Sequence, residues 1–373
     1  MRVTHIIKVV RIAGAERHLL TLLPALRERG VDASILLLVE PAIPMDDLAQ
    51  AAAERDIPLQ RMTIYHDADV TLLPRLVSKL RTLKPDVVHT HLLHADLFGI
   101  PAAKLAGVRA IVTGRHNDNA FRRRFPLRQI NQALWRMADA GIVISSALAR
   151  FCIEIEGAPP DKLHTVYYGL DTQTIIDPVE ARANLRHELG LSDDTLLIGA
   201  VCRLIEQKGL IYGLQAFAQI SERFPQAHVV IAGDGPLRAN LETEASALGL
   251  AKRVHFLGWR PDTTPVFAAL DVFLAPSLWE GFGLVLLEAM EQSLPIVGSA
   301  VSAIPEIVVD GQTGRLVAVR DVDALAAALA ELLSDDNLRR QMGAAGYARL
   351  KQHFSVARMT DKTLAIYELL APR

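Results

Sequence analysis

Short apolar runs rich in Val and Ile alternate with longer amphipathic stretches along the whole chain. Runs of this length without polar alternation are typical of parallel strands buried on both faces of a sheet. In the first half they predict strands at Thr4–Val10, Ser34–Val39, Asp86–Thr90, Arg109–Thr113, Ala140–Ile144 and Leu163–Tyr168. In the second half they predict strands at Leu196–Cys202, His228–Ala232, Val254–Leu257, Asp271–Ala275, Leu294–Gly298 and Arg315–Val319.

Helical patterns follow most of these strands, as in Ala15–Arg29, where the leucines recur at helical spacing. Strand–helix alternation predicts an α/β fold with parallel sheets covered by helices. The rhythm pauses between residues 168 and 194, and a chain of 373 residues has room for two domains. We therefore expect one domain at 1–170 and a second at 171–354, followed by a helical tail at 355–373.

Composition narrows the function classes. The chain has 40 Lys and Arg against 42 Asp and Glu, and this balance argues against a nucleic-acid binder. Its two cysteines, Cys152 and Cys202, lie in apolar stretches, which excludes a disulfide framework or a cysteine zinc cage and indicates a reducing compartment. No apolar run has the roughly 18 residues of a membrane-spanning helix. Met1–Val10 indicates a strand rather than a signal peptide.

The first candidate site follows the predicted strand Leu196–Cys202. Arg203 and Lys208 lie in its loop, and Gly209 opens the next helix. A helix N-terminus presents unpaired backbone N–H groups and the positive end of the helix dipole, to which a guanidinium and an ammonium add charge. This combination suits a diphosphate. The alternative is a pair of solvated basic residues on a surface loop.

The second candidate site is a Gly-Phe-Gly loop between Glu280 and Glu288, at the start of a predicted helix. The glycines permit close approach of the backbone to a ligand, and the helix N-terminus faces the same space. An acidic residue on an otherwise apolar helix needs solvent or a partner, and vicinal hydroxyls of a sugar are good partners for carboxylates. The alternative is an exposed acidic face.

Weaker signals come from the first half. Gly14 opens the first helix, and His116 follows a strand end, where ligands bind in open α/β sheets. Either can equally be incidental. An arginine-rich stretch interleaved with aromatic residues suits an anionic membrane surface or acceptor, or is only the solvated side of an amphipathic helix. Its arginines are Arg115, Arg122, Arg123, Arg124, Arg128 and Arg136.

Apparent metal motifs have other interpretations. Two Asp-x-Asp pairs lack a Gly-rich strand-end context and are expected to be loop or N-cap aspartates: Asp67-Ala-Asp69 and Asp321-Val-Asp323. His89, His91 and His94 have no carboxylate at metal-site spacing, so no metal is expected; His89 and His91 should shape a cleft instead. The sequence contains neither a dinucleotide fingerprint nor a P-loop.

Together these motifs resemble the retaining nucleotide-sugar glycosyltransferases of family four. The resemblance rests on Arg203…Lys208-Gly209, Ala232-Gly-Asp-Gly-Pro236, Glu280-Gly-Phe-Gly…Glu288-Ala-Met290 and Gly14-Ala-Glu16. It implies the GT-B fold, with two facing Rossmann-like domains, parallel sheets and an interdomain cleft. Residues 1–170 would form the acceptor side, with 355–373 packed back on it, and 171–354 would bind the donor. The family usually has two glycines where this chain has Ala13-Gly14, and Ala13 would add a Cβ near the approach of the phosphate or the acceptor.

The resemblance also implies roles for single residues. Arg203 and Lys208 would neutralise the leaving diphosphate without a metal or other cofactor. Glu280 would contact the transferred sugar, Glu288 would bind the ribose, and His116 matches the family's histidine near the reacting centre. The other donor contacts would come from Gly14, Gly258, Trp259, Arg260, Gly281, Phe282, Gly283, Leu284 and Val285.

The expected function is retaining hexosyl transfer from a UDP- or GDP-linked sugar to a glycan or lipid-linked acceptor in cell-envelope polysaccharide, lipopolysaccharide or glycolipid assembly. A nucleotide-sugar epimerase of the same fold and a non-catalytic sugar-nucleotide-binding module are the alternatives. The expected location is the cytoplasm. Peripheral attachment to the inner face of the cytoplasmic membrane follows if Arg122, Arg123, Arg124 and Arg128 bind an anionic surface.

Overall fold

The computed structural model of the chain describes residues 1–66, 69–118, 125–171 and 177–372. They form two compact units, one made of Met1–Gly169 with Ser355–Arg373 and the other of Leu170–Phe354. Each unit contains one parallel sheet, which confirms the predicted α/β class. Among the described helices, none has the length and apolarity needed to cross a membrane.

The first unit has a seven-stranded sheet of order β3-β2-β1-β4-β5-β6-β7. Its strands are β1 Arg2–Lys8, β2 Asp32–Val39, β3 Leu59–Thr63, β4 Val87–His91, β5 Ala110–Arg115, β6 Ala140–Val143 and β7 Leu163–Thr165. Its helices are α1 Gly14–Glu28, α2 Asp46–Ala53, α3 Leu72–Leu83, α4 Leu92–Ala106, α5 Leu127–Met137, α6 Ser146–Phe151 and the C-terminal α15 Val356–Leu370. Alternate strand residues point to opposite faces; α1 and α15 cover one face, and α3 and α4 cover the other.

The second unit has a six-stranded sheet of order β10-β9-β8-β11-β12-β13. Its strands are β8 Leu196–Val201, β9 Ala227–Ala232, β10 Val254–Gly258, β11 Val272–Ala275, β12 Ile296–Ser299 and β13 Gly314–Val317. Its helices are α7 Pro178–Glu188, α8 Leu210–Ile220, α9 Arg238–Ala247, α10 Thr264–Ala269, α11 Leu284–Glu291, α12 Ile304–Ile307, α13 Val322–Ser334 and α14 Asp336–His353.

Sequence and structure differ mainly at the edge of the first sheet. The pattern of apolar runs did not predict the strand β3. It is an edge strand on which Gln60 and Arg61 are solvated, so its sequence contains no continuous apolar run. The first strand ends at Lys8, and Val10 is 55% exposed beyond it.

Asp321 caps α13 by accepting a hydrogen bond from the Ala324 N–H, which confirms its interpretation as an N-cap.

Candidate active site

The second unit has a topological switch point between β8 and β11. The strands β9 and β10 lie on one side of β8, whereas β11 and the strands after it lie on the other. The loops that follow β8 and β11 therefore diverge at the carboxyl edge of the sheet, where ligands bind in open α/β folds. These two loops, residues 202–209 and 276–283, carry the two candidate sites predicted from the sequence.

Backbone contacts hold these two loops together. The Leu278 N–H donates to the Gln207 carbonyl at 2.8 Å, and the Gln207 side-chain amide donates to the Trp279 carbonyl at 3.1 Å. Gly209 adopts a φ of +59°, and a Cβ at this position would lie 2.1 Å from the carbonyl oxygen of Pro276. Glycine is required because the backbones approach more closely than any side chain allows.

This approach places the Lys208 ammonium in a salt bridge with the Glu280 carboxylate. The two side chains are 17% and 13% exposed, so the pair is shielded from most solvent but reachable. A cavity of about 20 Å³ lies beside the pair and includes Cys202 in its wall. Burial raises the pKa of the Cys202 thiol to about 11, so the thiol stays protonated near neutral pH. Lys208 and Glu280 are thus the charged residues in the wall of this cavity.

The Gly-Phe-Gly loop leads directly into α11. Gly283 has a φ of +94° and supplies no side-chain cap, so the first turn of α11 presents its N–H groups at the carboxyl edge of the sheet. Phe282 is buried and packs edge-on against Phe354, with ring centroids 6.1 Å apart, which anchors the loop. Glu288 lies half-buried on the same helix, just beyond its first turn. The structure thus brings Glu280, the loop and Glu288 to one edge of the second unit.

The remaining predicted donor contacts follow β10 at the same edge of the sheet. The Gly258 carbonyl accepts a hydrogen bond from the Gly233 N–H at 2.8 Å, which ties this segment to the Gly-Asp-Gly-Pro loop. Trp259 is 73% exposed and offers an open ring face. Arg260 forms a salt bridge with Glu188 of α7. Arg203 is also exposed, at the start of the loop after β8.

The first unit brings together histidines that are far apart in sequence. In the parallel register, His5 of β1 pairs with His89 of β4, and His91 pairs with Gly114 of β5. Their even spacing directs the side chains to the sheet face covered by α1 and α15. His18 of α1 and His116, just after β5, complete the group. We call these five residues the histidine cluster: His5, His18, His89, His91 and His116.

Hydrogen bonds link three imidazole rings of the cluster to one another and tie two rings to tyrosine hydroxyls. His5 Nδ1 and His91 Nε2 are 3.0 Å apart, and His91 Nδ1 and His116 Nε2 are 2.8 Å apart. His116 Nδ1 lies 2.5 Å from the Tyr168 hydroxyl, and His89 Nδ1 lies 2.6 Å from the Tyr367 hydroxyl. The sequence did not predict a role for His5 or His18, because each stands alone in its segment. The alternation of strand residues, combined with the register, is the signal that identifies His5.

Burial keeps four imidazoles of the cluster neutral, those of His5, His18, His89 and His91, which predicts acid sensitivity. Desolvation lowers the pKa of His5 and of His18 to about 3, and desolvation with neighbouring imidazoles lowers the pKa of His89 and of His91 well below its usual range. In the unfolded chain the pKa of histidine returns to about 6.5. The contribution of these histidines to the free energy of unfolding is therefore fully present above about pH 6.5 and is lost as the pH falls towards about 3. The reason is that only the unfolded chain takes up protons in this window.

We expect the free energy of unfolding to fall by up to about 1.4 kcal/mol per pH unit for each such histidine. Urea unfolding between about pH 7 and pH 4.5 measures this slope. His5→Leu should remove the share of one histidine, whereas His66→Gln, at an exposed position in the same unit, should leave the slope unchanged. An unchanged slope in His5→Leu would contradict the prediction.

Gly14 is the first residue of α1, at the carboxyl end of β1. Glu16, in the first turn of this helix, caps its N-terminus: the Glu16 carboxylate accepts a hydrogen bond from the Ala13 N–H at 2.7 Å. Burial raises the pKa of Glu16.

The arginine-rich stretch is divided by its environment. The prediction that Arg115 belongs to a solvated basic surface is wrong: its side chain is 1% exposed and forms salt bridges of 2.6 Å with Asp96 and 2.9 Å with Glu156. The guanidinium also stacks on Trp135 of α5, which covers the end of β5. Arg128 is exposed on α5. The positions Arg122, Arg123, Arg124 and Asp67 lie outside the described residues.

Two sequence families match: the family described as Glycosyltransferase Family 4 over residues 12–174, and Glycosyl transferases group 1 over residues 181–349. An Escherichia coli UDP-Gal:alpha-D-GlcNAc-diphosphoundecaprenol alpha-1,3-galactosyltransferase is 27% identical over 98% of this chain and 96% of its own length. A D-inositol 3-phosphate glycosyltransferase of Corynebacterium diphtheriae is 32% identical over 78% of this chain and 72% of its own.

Among solved structures, Anabaena HepE in complex with UDP matches with a TM-score of 0.86, covering 99% of this chain and 100% of HepE at 22% identity. HepE has also been solved with UDP-glucose. The two glycosyltransferase family matches, together with the two Rossmann-like units, define a glycosyltransferase of the GT-B type. Within that class, the chain belongs to glycosyltransferase family 4.

Proposed function

We propose that this enzyme is a retaining, metal-independent hexosyltransferase that uses a UDP- or GDP-linked sugar and a glycan or lipid-linked acceptor in cell-envelope glycan assembly. The observation that carries the proposal is the Lys208–Glu280 salt bridge at the switch point of the second unit, beside the N-terminus of α11. The UDP complexes of HepE and the lipid-linked acceptor named for the E. coli relative support the choice of substrates.

In this proposal the salt bridge exchanges partners when the donor binds. Lys208 moves from Glu280 to the diphosphate. The Glu280 carboxylate, released from the lysine, then accepts hydrogen bonds from hydroxyl groups of the sugar. Both shielded charges keep a partner throughout, which avoids the cost of an unpaired charge in a site of low polarity. Arg203 and the first N–H groups of α11 add positive potential where the leaving group gains negative charge.

The proposed chemistry needs no side-chain nucleophile. The acceptor hydroxyl attacks the anomeric carbon on the face from which the diphosphate departs, and the departing phosphate oxygen takes up the hydroxyl proton. The new glycosidic bond forms as the bond to phosphate breaks, so the anomeric configuration is retained. Positioning and charge neutralisation supply the rate enhancement. His116 is proposed to lie beside the donor sugar, and Glu288 to hold the ribose.

A thermal-shift panel of UDP- and GDP-linked sugars tests the donor. A donor present at about 100 times its dissociation constant should stabilise the protein by about 2.7 kcal/mol. The stabilising donor is then incubated alone with the enzyme. A transferase hydrolyses it slowly, whereas an epimerase interconverts the sugar and a binding module leaves it unchanged. Proton NMR of the transfer product with and without EDTA completes the test: an inverted anomer contradicts retention, and loss of activity with EDTA contradicts metal independence.

The membrane part of the proposal rests on the arginine-rich stretch around α5, where Phe125 is 82% exposed beside the exposed Arg128. Replacing Arg122, Arg123 and Arg124 together with Ser should weaken binding to anionic vesicles about 100-fold, since each arginine near such a surface contributes about 1 kcal/mol. Vesicle co-sedimentation measures the change. Arg150→Ser, at an exposed position of the same unit, is the control. Unchanged binding of the triple variant would exclude membrane attachment through this stretch.

A further inference from the structure

Three members of the histidine cluster form one hydrogen-bonded chain that reaches the Tyr168 hydroxyl. The chain runs from His5 through His91 to His116, with nitrogen–nitrogen distances of 3.0 and 2.8 Å. We infer that His91, with His5 behind it, is a positioning residue that decides which ring nitrogen of His116 carries the proton. This inference rests on the proposed place of His116 beside the donor sugar.

The ring protons of His5, His91 and His116 are coupled through these two hydrogen bonds. A neutral imidazole has one N–H and one bare nitrogen, and a hydrogen bond between two ring nitrogens contains one proton. If His91 donates from Nδ1 to His116, its Nε2 is bare and must accept from His5, and His116 carries its proton on Nδ1 and donates it to the Tyr168 oxygen. In the reverse arrangement every bond is inverted, and His116 carries its proton on Nε2. No mixed arrangement satisfies both bonds, so the three tautomers change together.

Burial of the hydrogen-bonded histidines prevents a third arrangement, in which the three rings carry an added proton. His5 and His91 are fully buried, and His5 Nε2 has no hydrogen-bond partner among the residues that the structure describes. A proton passed inward along the chain would end as a charge on this enclosed ring. The lowered pKa values of His5 and His91 agree with this. His5 and His91 therefore stay neutral near neutral pH, and their part in the hydrogen-bonded chain is to orient His116.

Packing also fixes the ring planes of the chain. The rings of His5 and His91 are nearly parallel, at 7°, with centroids 5.2 Å apart. A Cβ on Gly114 would lie 2.8 Å from His91 Nδ1, 3.0 Å from His116 Nε2 and 3.1 Å from His89 Nε2, so this glycine leaves the space that the rings occupy. With its ring held at both nitrogens, His116 is presented in one orientation.

A metal ion would be a different explanation for the cluster. Nitrogens of His5, His89 and His91 lie within 4.8 Å of one another. Both ring nitrogens of His91 already take part in hydrogen bonds to histidines, so a metal would have to break the chain. The two explanations are therefore exclusive, and one set of variants distinguishes them.

The test compares three variants of the full-length enzyme. An asparagine amide lies near the position of the imidazole Nδ1, and a glutamine amide reaches that of Nε2. His91→Gln should therefore lose the bond to His116, whereas His91→Asn should keep it. His89→Gln is the matched control: it is on the same strand, equally buried and in ring contact with His5 and His91, but its bond goes to Tyr367.

The first measurement is the tautomer of His116, by long-range proton–nitrogen correlation on ¹⁵N-histidine-labelled protein. We expect the wild type and His89→Gln to share one tautomer population of His116, and His91→Gln to differ from both. The second is UDP-glucose hydrolysis. We expect kcat to fall roughly tenfold or more in His91→Gln with KM changed by less than about twofold, and His91→Asn to restore most of kcat.

The outcomes separate this inference from the proposed function. An unchanged His116 tautomer in His91→Gln overturns the inference, as does an altered tautomer with unchanged kcat. Stoichiometric zinc in the purified wild type that is lost in His91→Gln overturns it in favour of a metal site. Failure of the wild type to hydrolyse any stabilising nucleotide sugar counts against the proposed function instead, because the tautomer measurement needs no substrate.

Discussion

Replacing Lys208 with alanine is expected to lower kcat about 100- to 1,000-fold, with a smaller change in KM for the donor. The variant removes the ammonium that is proposed to neutralise the leaving diphosphate. The negative charge that develops on this leaving group in the transition state then has no ammonium beside it. It also leaves Glu280 without the lysine that now pairs with it in a site only 13% exposed. The carboxylate would then repel the diphosphate, which adds to the loss.

Initial rates with the stabilising donor measure this effect. Lys208→Arg should recover part of the activity, because it restores the charge but not the compact geometry of the ammonium. Lys252→Ala, at an exposed position of the same unit, is the matched control and should keep full activity. If Lys208→Ala turned over at the wild-type rate, the Lys208–Glu280 pair would not be the catalytic centre, and the binding-module alternative would gain support.

Replacing Gly209 with alanine is expected to destabilise the second unit by about 3 kcal/mol and to weaken donor binding at least tenfold. Alanine at a φ of +59° costs about 1 kcal/mol by itself. The larger share comes from the contact of 2.1 Å between the new Cβ and the Pro276 carbonyl oxygen. Neither atom belongs to a flexible side chain, so the loops after β8 and β11 must separate, and Lys208 moves with them.

Gly249→Ala isolates the conformational part of this cost. Gly249 has a φ of +75°, but a Cβ there would meet nothing within 4 Å. We expect a loss of about 1 kcal/mol in urea unfolding for Gly249→Ala, with donor affinity unchanged. Equal losses for the two alanine variants would show that the close approach of the two loops is not required for stability. Isothermal titration with the donor gives the affinity of each variant.

Much of the second unit could be predicted from the sequence. Runs of Val and Ile identified the buried strands of both sheets, because burial on both faces leaves a local signature. Parallel strands align their carboxyl ends, so the loops after β8 and β11 were expected at one edge of the sheet. The salt bridge between Lys208 and Glu280 was not predicted, since the sequence gives no sign that Gly209 lets those loops approach so closely.

Two features of the first unit were out of reach for pattern analysis. Arg115 looked like part of a basic surface because it lies near other arginines, but Asp96 and Glu156, which neutralise it, come from distant segments. His5 looked like an ordinary strand residue until its register partner, His89, was known.

The sequence by itself therefore determined the α/β class, the order of the buried strands and the loops that carry the candidate-site motifs, because these depend on local periodicity and on glycine and charge at strand ends. The tertiary structure decided which charges pair, which arginine is buried and which histidines form a chain. Those outcomes depend on sheet register and on the packing of segments that are far apart in the chain, and no local pattern records them.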